Sequence, residues 1–426
     1  MNDRPPESSP ESPPPAAPRR GALPVIFLTV LIDLIGFGIF IPLLPFYAKE
    51  FGGDTVLAGA LVGTYSVVQL FFLPILGRLS DRYGRRPILL LGLGGSCVAY
   101  ALFAFGTWVG SLGLLFAARG LAGLFGATIS TAQAYVADVT TPETRAKGMG
   151  LIGAAFGLGF TLGPPIGGRL DEAFLQWVPS GFAPAAFASL LSATAFVLGY
   201  LRLAESHRPG EGDSRTFSLG AAVDALREQR RGILLLLFLL QVWAFANLEA
   251  MFSLLGKVRF EYDKSDMGDV FLFVGLVTAF VQGGLIHRLT RGLGVRNVFA
   301  VATVGLAAGF LAVAYVTQKT PFFFACALIG VSYGMASPTL NALISRNTAG
   351  SKQGATFGVA QSAAGLGRAL GHVGAGALFA RESGEPFKWA GAAMLVVFGL
   401  FLVYRRAFPR DLVELEAEEA ARCAVW

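Results

Sequence analysis

The stretch GRLSDRYGRRP, residues 77–87, places four arginines and one aspartate between two long apolar segments. The chain of 426 residues is 54% hydrophobic and only 15% charged, a composition that excludes an ordinary soluble globular protein. Apolar runs of about 20 residues, the length at which a helix crosses a bilayer, recur along nearly all of it. The charged stretch is therefore predicted to be a short loop between two membrane-spanning helices.

Twelve such runs are present, and each is continuous rather than alternating in polarity, which favours helices over a β-barrel. The predicted fold class is an all-α integral membrane protein with twelve transmembrane helices. The predicted spans are residues 22–48, 56–76, 87–107, 110–137, 146–170, 182–202, 232–256, 269–287, 296–317, 321–345, 353–380 and 387–405.

Charge is distributed unevenly between the predicted loops. If the spans alternate in direction, the basic loops, including residues 77–87, fall on one side, whereas the other side carries mixed charge, as in EYDKSDMGD (261–269). Because basic loops stay in the cytoplasm, both termini are predicted to be cytoplasmic. The net charge of +6 reflects these loops and does not predict nucleic-acid binding. A multi-pass protein of the bacterial cytoplasmic (inner) membrane is expected.

The second half of the chain repeats the first. An offset of 208 residues matches Gly163 with Gly371, and an offset of 206 matches Gly77 with Gly283. Parallel repeats of this kind build transporters whose halves rock around a central site. We therefore expect two pseudo-symmetric six-helix bundles. The predicted domains are a disordered cytoplasmic leader (1–20), an N-terminal bundle (21–202), a cytoplasmic linker (203–231), a C-terminal bundle (232–406) and a cytoplasmic tail (407–426).

The loop at residues 77–87 resembles the signature G-x-L-x-D-R-x-G-R-R of the major facilitator superfamily, in which this loop helps to latch the cytoplasmic helix ends in the outward-open state. A simple topology anchor is the alternative, although an anchor needs positive charge and not this spacing. In the second half His287 replaces the aspartate, so the first-half latch is expected to matter more. The resemblance implies a conformational latch formed by Gly77, Asp81, Arg82, Gly84, Arg85 and Arg86.

Three further segments resemble the proton-coupled drug exporters of that superfamily, especially the tetracycline/proton antiporter branch. DLIGFGIFIPLLP (33–45) is similar to their first-span pattern, RGLAGLFGA, starting at Arg119, to their arginine motif, and GLGFTLGPPIGG (157–168) to their antiporter motif. The resemblance implies transport by alternating access, with no cofactor other than the proton gradient as energy source.

Three ionisable residues inside the spans are candidates for proton coupling, namely Asp33, Arg119 and Glu249. Asp33 lies about 13 residues past the basic start of its span, roughly 20 Å in at 1.5 Å per residue, which is close to the bilayer midplane. A charge at that depth is costly and faces the bundle interior. The alternatives are a static hydrogen bond for Asp33 and structural polar packing for Glu249.

Polar side chains scattered through the spans predict a wide, mostly apolar cavity that suits a hydrophobic or amphiphilic organic compound. Helix packing is the alternative role for many of them. His372 is a minor candidate, with a packing hydrogen bond as its alternative. The candidate cavity residues are Gln69, Gln133, Gln241, Asn247, Asn341, Gln361 and Arg368.

The fifth span is rich in glycine and proline, which allow close helix approach and bending. Its glycines carry no Walker lysine, so ATP is not implied. Neither a metal site nor an enzymatic nucleophile–base arrangement is recognisable. The expected partners are a small organic substrate, protons and the lipid bilayer, without nucleic acid or an obligatory protein partner. The candidate helix-bending residues are Gly159, Gly163, Pro164 and Gly167.

One departure limits the resemblance to the tetracycline exporters. The intramembrane acids and histidine expected of them are missing, and Ala99 and Thr278 are among the residues in their place. The sequence therefore predicts a proton-driven antiporter of the drug efflux type, with antibiotic resistance as its physiological setting. The alternatives are a metabolite or lipid carrier of the same superfamily, working as a symporter or uniporter, and a transport-inactive membrane receptor or scaffold.

Overall fold

The computed structural model describes residues 22–126, 129–140, 142–206, 227–348 and 353–412. These residues form helices and no strands, which confirms the predicted fold class. The predicted leader, most of the linker and most of the tail lie outside the described residues. The spanning helices are α1 (Ala22–Phe40, continued by Leu44–Glu50), α2 (Thr55–Tyr83), α3 (Arg85–Trp108), α4 (Leu112–Gly126 and Ile129–Asp138), α5 (Pro142–Phe174), α6 (Phe182–Arg202), α7 (Gln229–Phe260), α8 (Lys264–Phe280, Val281–Leu285 and Ile286–Leu293), α9 (Val295–Tyr315), α10 (Lys319–Arg346), α11 (Gln353–Arg381) and α12 (Glu385–Ala407).

Within these ranges, eleven helices are long and apolar enough to cross a membrane. The remaining one is α11, which has 29 residues but carries Arg368, His372 and a series of glycines that lower its hydropathy. This helix packs against both α2 and α7. Contact with protein on two sides lets it hold polar residues that lipid would not accept.

The two halves share one pattern of helix pairing. In the first half α1 packs on α5 and α6, while α3 packs on α4 and α6. In the second half α7 packs on α11 and α12, while α9 packs on α10 and α12. Each pair in one half corresponds to a pair six helices later, which confirms the two pseudo-symmetric bundles.

Glycines bring equivalent helices into backbone contact in both halves. A Cβ atom on Gly163 would lie 2.5 Å from the carbonyl carbon of Gly38, and one on Gly371 would lie 2.6 Å from the Cβ of Ala246. Gly38 and Ala246 are related by the same 208-residue offset as the two glycines. The absence of side chains allows this close approach, so α1 with α5 and α7 with α11 each form a tightly packed pair.

The halves meet mainly along two helix pairs, α2 with α11 and α5 with α8. We call the bundle end that holds Arg85 and Arg296 the basic face, and the end that holds Asp171 and Lys264 the far face. Near the far face the contacts are close, since a Cβ on Gly59 would lie 2.7 Å from the backbone nitrogen of Gly376. Toward the basic face the halves diverge around a cavity.

Replacing Gly163 by alanine is expected to destabilise the protein by about 1–3 kcal/mol, because the added methyl group overlaps the backbone of α1. Gly157→Ala on the same helix is the matched control, since a Cβ there meets no atom within 4 Å. That change should alter the free energy of unfolding by less than about 0.5 kcal/mol. Thermal unfolding of the detergent-purified variants measures both effects, and equal Tm values would contradict the packing argument.

Candidate functional site

A cavity of about 1160 Å³ lies between the two halves. Its walls come from both bundles, and its surface is mainly apolar. It extends to Ile26, Met149 and Ile286, which lie near the ends of their helices at the basic face. A space of this size and character accommodates an organic molecule of drug size.

Most of the residues predicted for the site line this cavity. Asn247 departs from the prediction, because it is fully buried in the bundle and its Nδ2 donates to the carbonyl oxygen of Trp243 at 2.8 Å. Asn247 precedes Glu249 by two residues on α7, so the two side chains point to different sides of the helix. The predicted residues that do line the cavity are Asp33, Gln69, Arg119, Gln133, Gln241, Glu249, Asn341, Gln361 and Arg368.

Asp33 faces the cavity from α1. The hydroxyl of Ser192 on α6 donates to its Oδ1 at 3.2 Å, and no described cation lies within ion-pair distance of it. The carboxyl group therefore has a neutral partner and remains accessible from the cavity. This environment is compatible both with a packing hydrogen bond and with proton coupling.

Arg119 is almost completely buried, with 2% of its surface exposed. Its guanidinium lies 4.9 Å from the ring centre of Tyr65 and 5.9 Å from that of Phe37, so cation–π attraction compensates part of the lost hydration. Its Nε and Nη1 atoms have no hydrogen-bond partner among the described residues. Arg368, which also lines the cavity, forms no ion pair within the described ranges.

Glu249 belongs to a hydrogen-bonded chain that crosses from one half to the other. Its Oε2 lies 3.1 Å from Nε2 of His372 on α11, and Nδ1 of the same ring lies 3.2 Å from the hydroxyl of Ser66 on α2. The side chains of His372 and Glu249 are 7% and 13% exposed. The sequence indicates His372 only as a minor candidate and does not point to Ser66, because only the packing of α2, α7 and α11 brings these residues together.

An ion cluster at the far face, which the sequence analysis missed, joins the halves. Nζ of Lys264 on α8 lies 2.6 Å from Asp171 on α5 and 2.8 Å from Glu50 at the end of α1. A second inter-half ion pair joins Arg169 to Asp269 at 2.7 Å. Lys264 and Asp269 come from the stretch that the sequence analysis described only as a loop of mixed charge. A single lysine among four acids in that loop was the available signal.

The latch residues lie at the basic face and interact within the first half. Arg85 contacts Asp81 and also Asp138, the latter at 3.1 Å. The backbone nitrogen of Arg85 donates to Glu205 at 2.8 Å. Gly84 has φ +101°, and a Cβ there would lie 2.5 Å from the Glu205 carboxylate, so this turn requires glycine. The role of the loop in latching the cytoplasmic helix ends stays a prediction.

Three glycines of the antiporter-like segment, Gly159, Gly163 and Gly167, face α1. Cβ atoms on Gly159 and Gly167 would lie within 2.8 Å of the backbone of that helix. Pro164 lies inside α5, and its carbonyl oxygen would be 2.9 Å from a Cβ on Gly268 of α8. These residues therefore make close contacts on both sides of α5, and bending at Pro164 stays a prediction.

The sequence profile of the Major Facilitator Superfamily matches residues 26–372 and 288–421. The chain belongs to this superfamily. The transporter is 31% identical over 405 residues to tetracycline resistance protein class G of Vibrio anguillarum, covering 92% of this chain and 100% of that protein. It is 32% identical to the class E protein of Escherichia coli, covering 90% and 92% of the two chains.

Solved structures of transporters share its fold. The crystal structure of the human organic anion transporter MFSD10 superposes with a TM-score of 0.68 at 26% identity, covering 89% of this chain and 98% of that chain. The crystal structure of the nucleoside transporter NupG gives a TM-score of 0.66 at 14% identity, covering 91% and 98%, which shows the fold alone. Like other members of the superfamily, this multi-pass membrane transporter moves small organic substrates across a membrane.

Replacing Lys264 by glutamine is expected to favour opening of the far face, because it leaves Asp171 and Glu50 close together without their cation. The readout is the labelling rate of a Gly157→Cys thiol in the cavity by a membrane-impermeant maleimide added from the far-face side. Cys97, Cys326 and Cys423 are first replaced by serine, since Cys326 also lines the cavity. We expect about a tenfold increase. Lys388→Gln is the matched control, since Lys388 pairs with Glu382 and Glu385 inside the second half. Equal rates in both variants would contradict a gating role for the cluster.

Proposed function

We propose that this transporter is a proton-coupled antiporter that exports hydrophobic or amphiphilic organic compounds by alternating access. The observation that carries the proposal is the placement of two carboxyl groups, Asp33 and Glu249, in one large apolar cavity between the halves. Similarity to tetracycline resistance proteins over nearly the whole chain supports efflux as the direction of transport. The basic loops support a cytoplasmic basic face and cytoplasmic termini.

In this mechanism a proton and the substrate compete for the cavity. A carboxyl group that is neutral when protonated favours an apolar environment, whereas its charged form needs a polar or charged partner. Substrate that enters from the basic face displaces the proton, and rocking of the halves exposes the cavity at the far face. The proton gradient is the proposed energy source, and no other cofactor is required.

A second candidate function, carriage of an organic anion such as a metabolite, is favoured by the arginines. Both cavity acids have partners within the protein, whereas Arg119 and Arg368 have no ion pair among the described residues. Positive charge at this depth without a carboxylate partner attracts an anionic group. The similarity to MFSD10, which is described as an organic anion transporter, supports the same substrate class.

Proton release from energised everted vesicles tests the main proposal. Vesicles that contain the wild-type protein are expected to release protons when a transported compound is added from a panel of tetracycline, amphiphilic cations and lipophilic anions. Asp33→Asn should abolish this release, because the amide cannot carry the proton. Ser130→Ala, which changes a hydroxyl of α4 outside the cavity lining, serves as a matched expression control.

The outcome of the same panel separates the two candidates. Proton release on addition of cations or tetracycline supports drug efflux. Proton release on addition of anions alone supports the organic anion carrier if Arg368→Gln abolishes it. Full substrate flux and full proton coupling in Asp33→Asn would contradict the antiport mechanism as proposed.

A further inference from the structure

We propose that Ser66, His372 and Glu249 form a binding site for one proton, and that occupancy of this site holds the far face closed. The proposal rests on the proton-coupled function above and names the group that links the proton to the conformation. The three side chains form an unbroken chain from α2 of the first half to α7 of the second half, with links of 3.2 and 3.1 Å.

The chain accommodates a proton without leaving a ring nitrogen unpaired. When the His372 ring is neutral, Nε2–H donates to Glu249 and Nδ1 accepts the hydroxyl proton of Ser66. When the ring binds a second proton, Nδ1–H donates to the Ser66 oxygen, and Nε2–H still donates to Glu249. The Ser66 hydroxyl then turns toward another acceptor, such as a carbonyl of its own helix. Both states are therefore hydrogen-bonded, and the site exchanges one proton with solution.

Few other charges surround the site. Arg368 lies one turn earlier on α11, and the hydroxyl of Tyr333 on α10 interacts electrostatically with both Glu249 and Arg368. Between Asp54 and Arg78 on α2, the titratable residue is Tyr65, which is next to Ser66. In the apolar part of α7, the acidic residue is Glu249 itself. The charged residues of α12, the third helix packed on α11, lie at its two ends, at 385–388 and 405–406.

The position of the chain links it to the conformation of the transporter. The α2–α11 contact runs from Gly59 against Gly376 at the far face to Gly63, whose Cβ would lie 3.3 Å from His372, and then to Ser66. Opening the far face separates these helices and breaks the bond between Ser66 and His372. A hydrogen bond from a charged imidazolium is stronger than one from a neutral ring, so proton binding stabilises the closed far face.

Release of the proton has the opposite effect. Glu249 lines the cavity, so a substrate that enters from the basic face competes with His372 for this carboxylate. Loss of the proton weakens the α2–α11 contact and permits the far face to open with substrate bound. Protonation from the far side then restores the closed state, which is the order of events that exchange of substrate for a proton requires.

The test measures distances between spin labels in the complete protein, without substrate. The labels are attached at Leu57→Cys on α2 and Ala380→Cys on α11, after replacement of Cys97, Cys326 and Cys423 by serine, in lipid nanodiscs. When the pH is raised from about 5 to about 8, the ratio of short to long distances is expected to fall about fivefold. A ratio independent of pH would overturn the proposal.

Three variants show which residues cause the change of the distance ratio with pH. His372→Asn still forms hydrogen bonds but does not titrate, so its distance ratio should not change with pH. Ser66→Ala should also lose the response, and as the smaller change it keeps the test decisive if His372→Asn does not fold. His287→Asn, at the other histidine of the described residues and outside the cavity lining, should keep the response. Persistence of the response in both His372→Asn and Ser66→Ala, or its loss in His287→Asn alone, would overturn the proposal.

This experiment is independent of the vesicle assay. If a compound causes proton release in vesicles but the distance ratio does not depend on pH, the antiport proposal stands and the proposed proton site is wrong. A pH-dependent ratio that requires His372 and Ser66, without proton release for any compound, would support the site and contradict antiport.

Discussion

The two halves contact each other mainly along two helix pairs, and this arrangement determines how they can move relative to each other. Within the described residues the halves meet mainly along α2–α11 and α5–α8, while each half is held together by its own helix pairs. Glycines bring the backbones of the paired helices close together, both inside each half and across the interface near the far face. Two tightly packed bundles that are joined along two helix pairs are expected to move by rocking against each other.

The bilayer confines charge to this interface. A charged side chain in contact with lipid is costly, and the ionisable residues deep in the spans accordingly line the cavity, namely Asp33, Arg119, Glu249, Arg368 and His372. Asp33 and Glu249 have hydrogen-bond partners, whereas Arg119 relies on aromatic rings. The same interface that must open and close therefore also holds the groups able to bind protons and charged substrates, so a change in charge acts directly on the motion.

The sequence predicted most of the architecture because the bilayer imposes simple rules. Span length, the repeat offset and the basic loop at residues 77–87 depend on local composition, and the twelve helices and two bundles follow from them. Asp33 and Arg119 were found because a charge inside an apolar run is conspicuous. Ser66 was not found, since a serine in a spanning helix is common and its role comes only from the neighbouring His372. The cluster at Lys264 was missed because it depends on helix ends from both halves meeting at the far face.

The central claim is that substrate moves only when the halves separate at the far face. Locking that face tests this claim most directly. Arg169 and Asp269 face each other across the α5–α8 seam, and both side chains are more than half exposed, so cysteines at these positions can be joined by a short reducible cross-linker in otherwise cysteine-free protein. Cross-linking is expected to abolish transport of a compound that the vesicle panel identifies, and reduction should restore it, while each single-cysteine variant treated in the same way remains active. Undiminished transport by the cross-linked protein would contradict alternating access through this face.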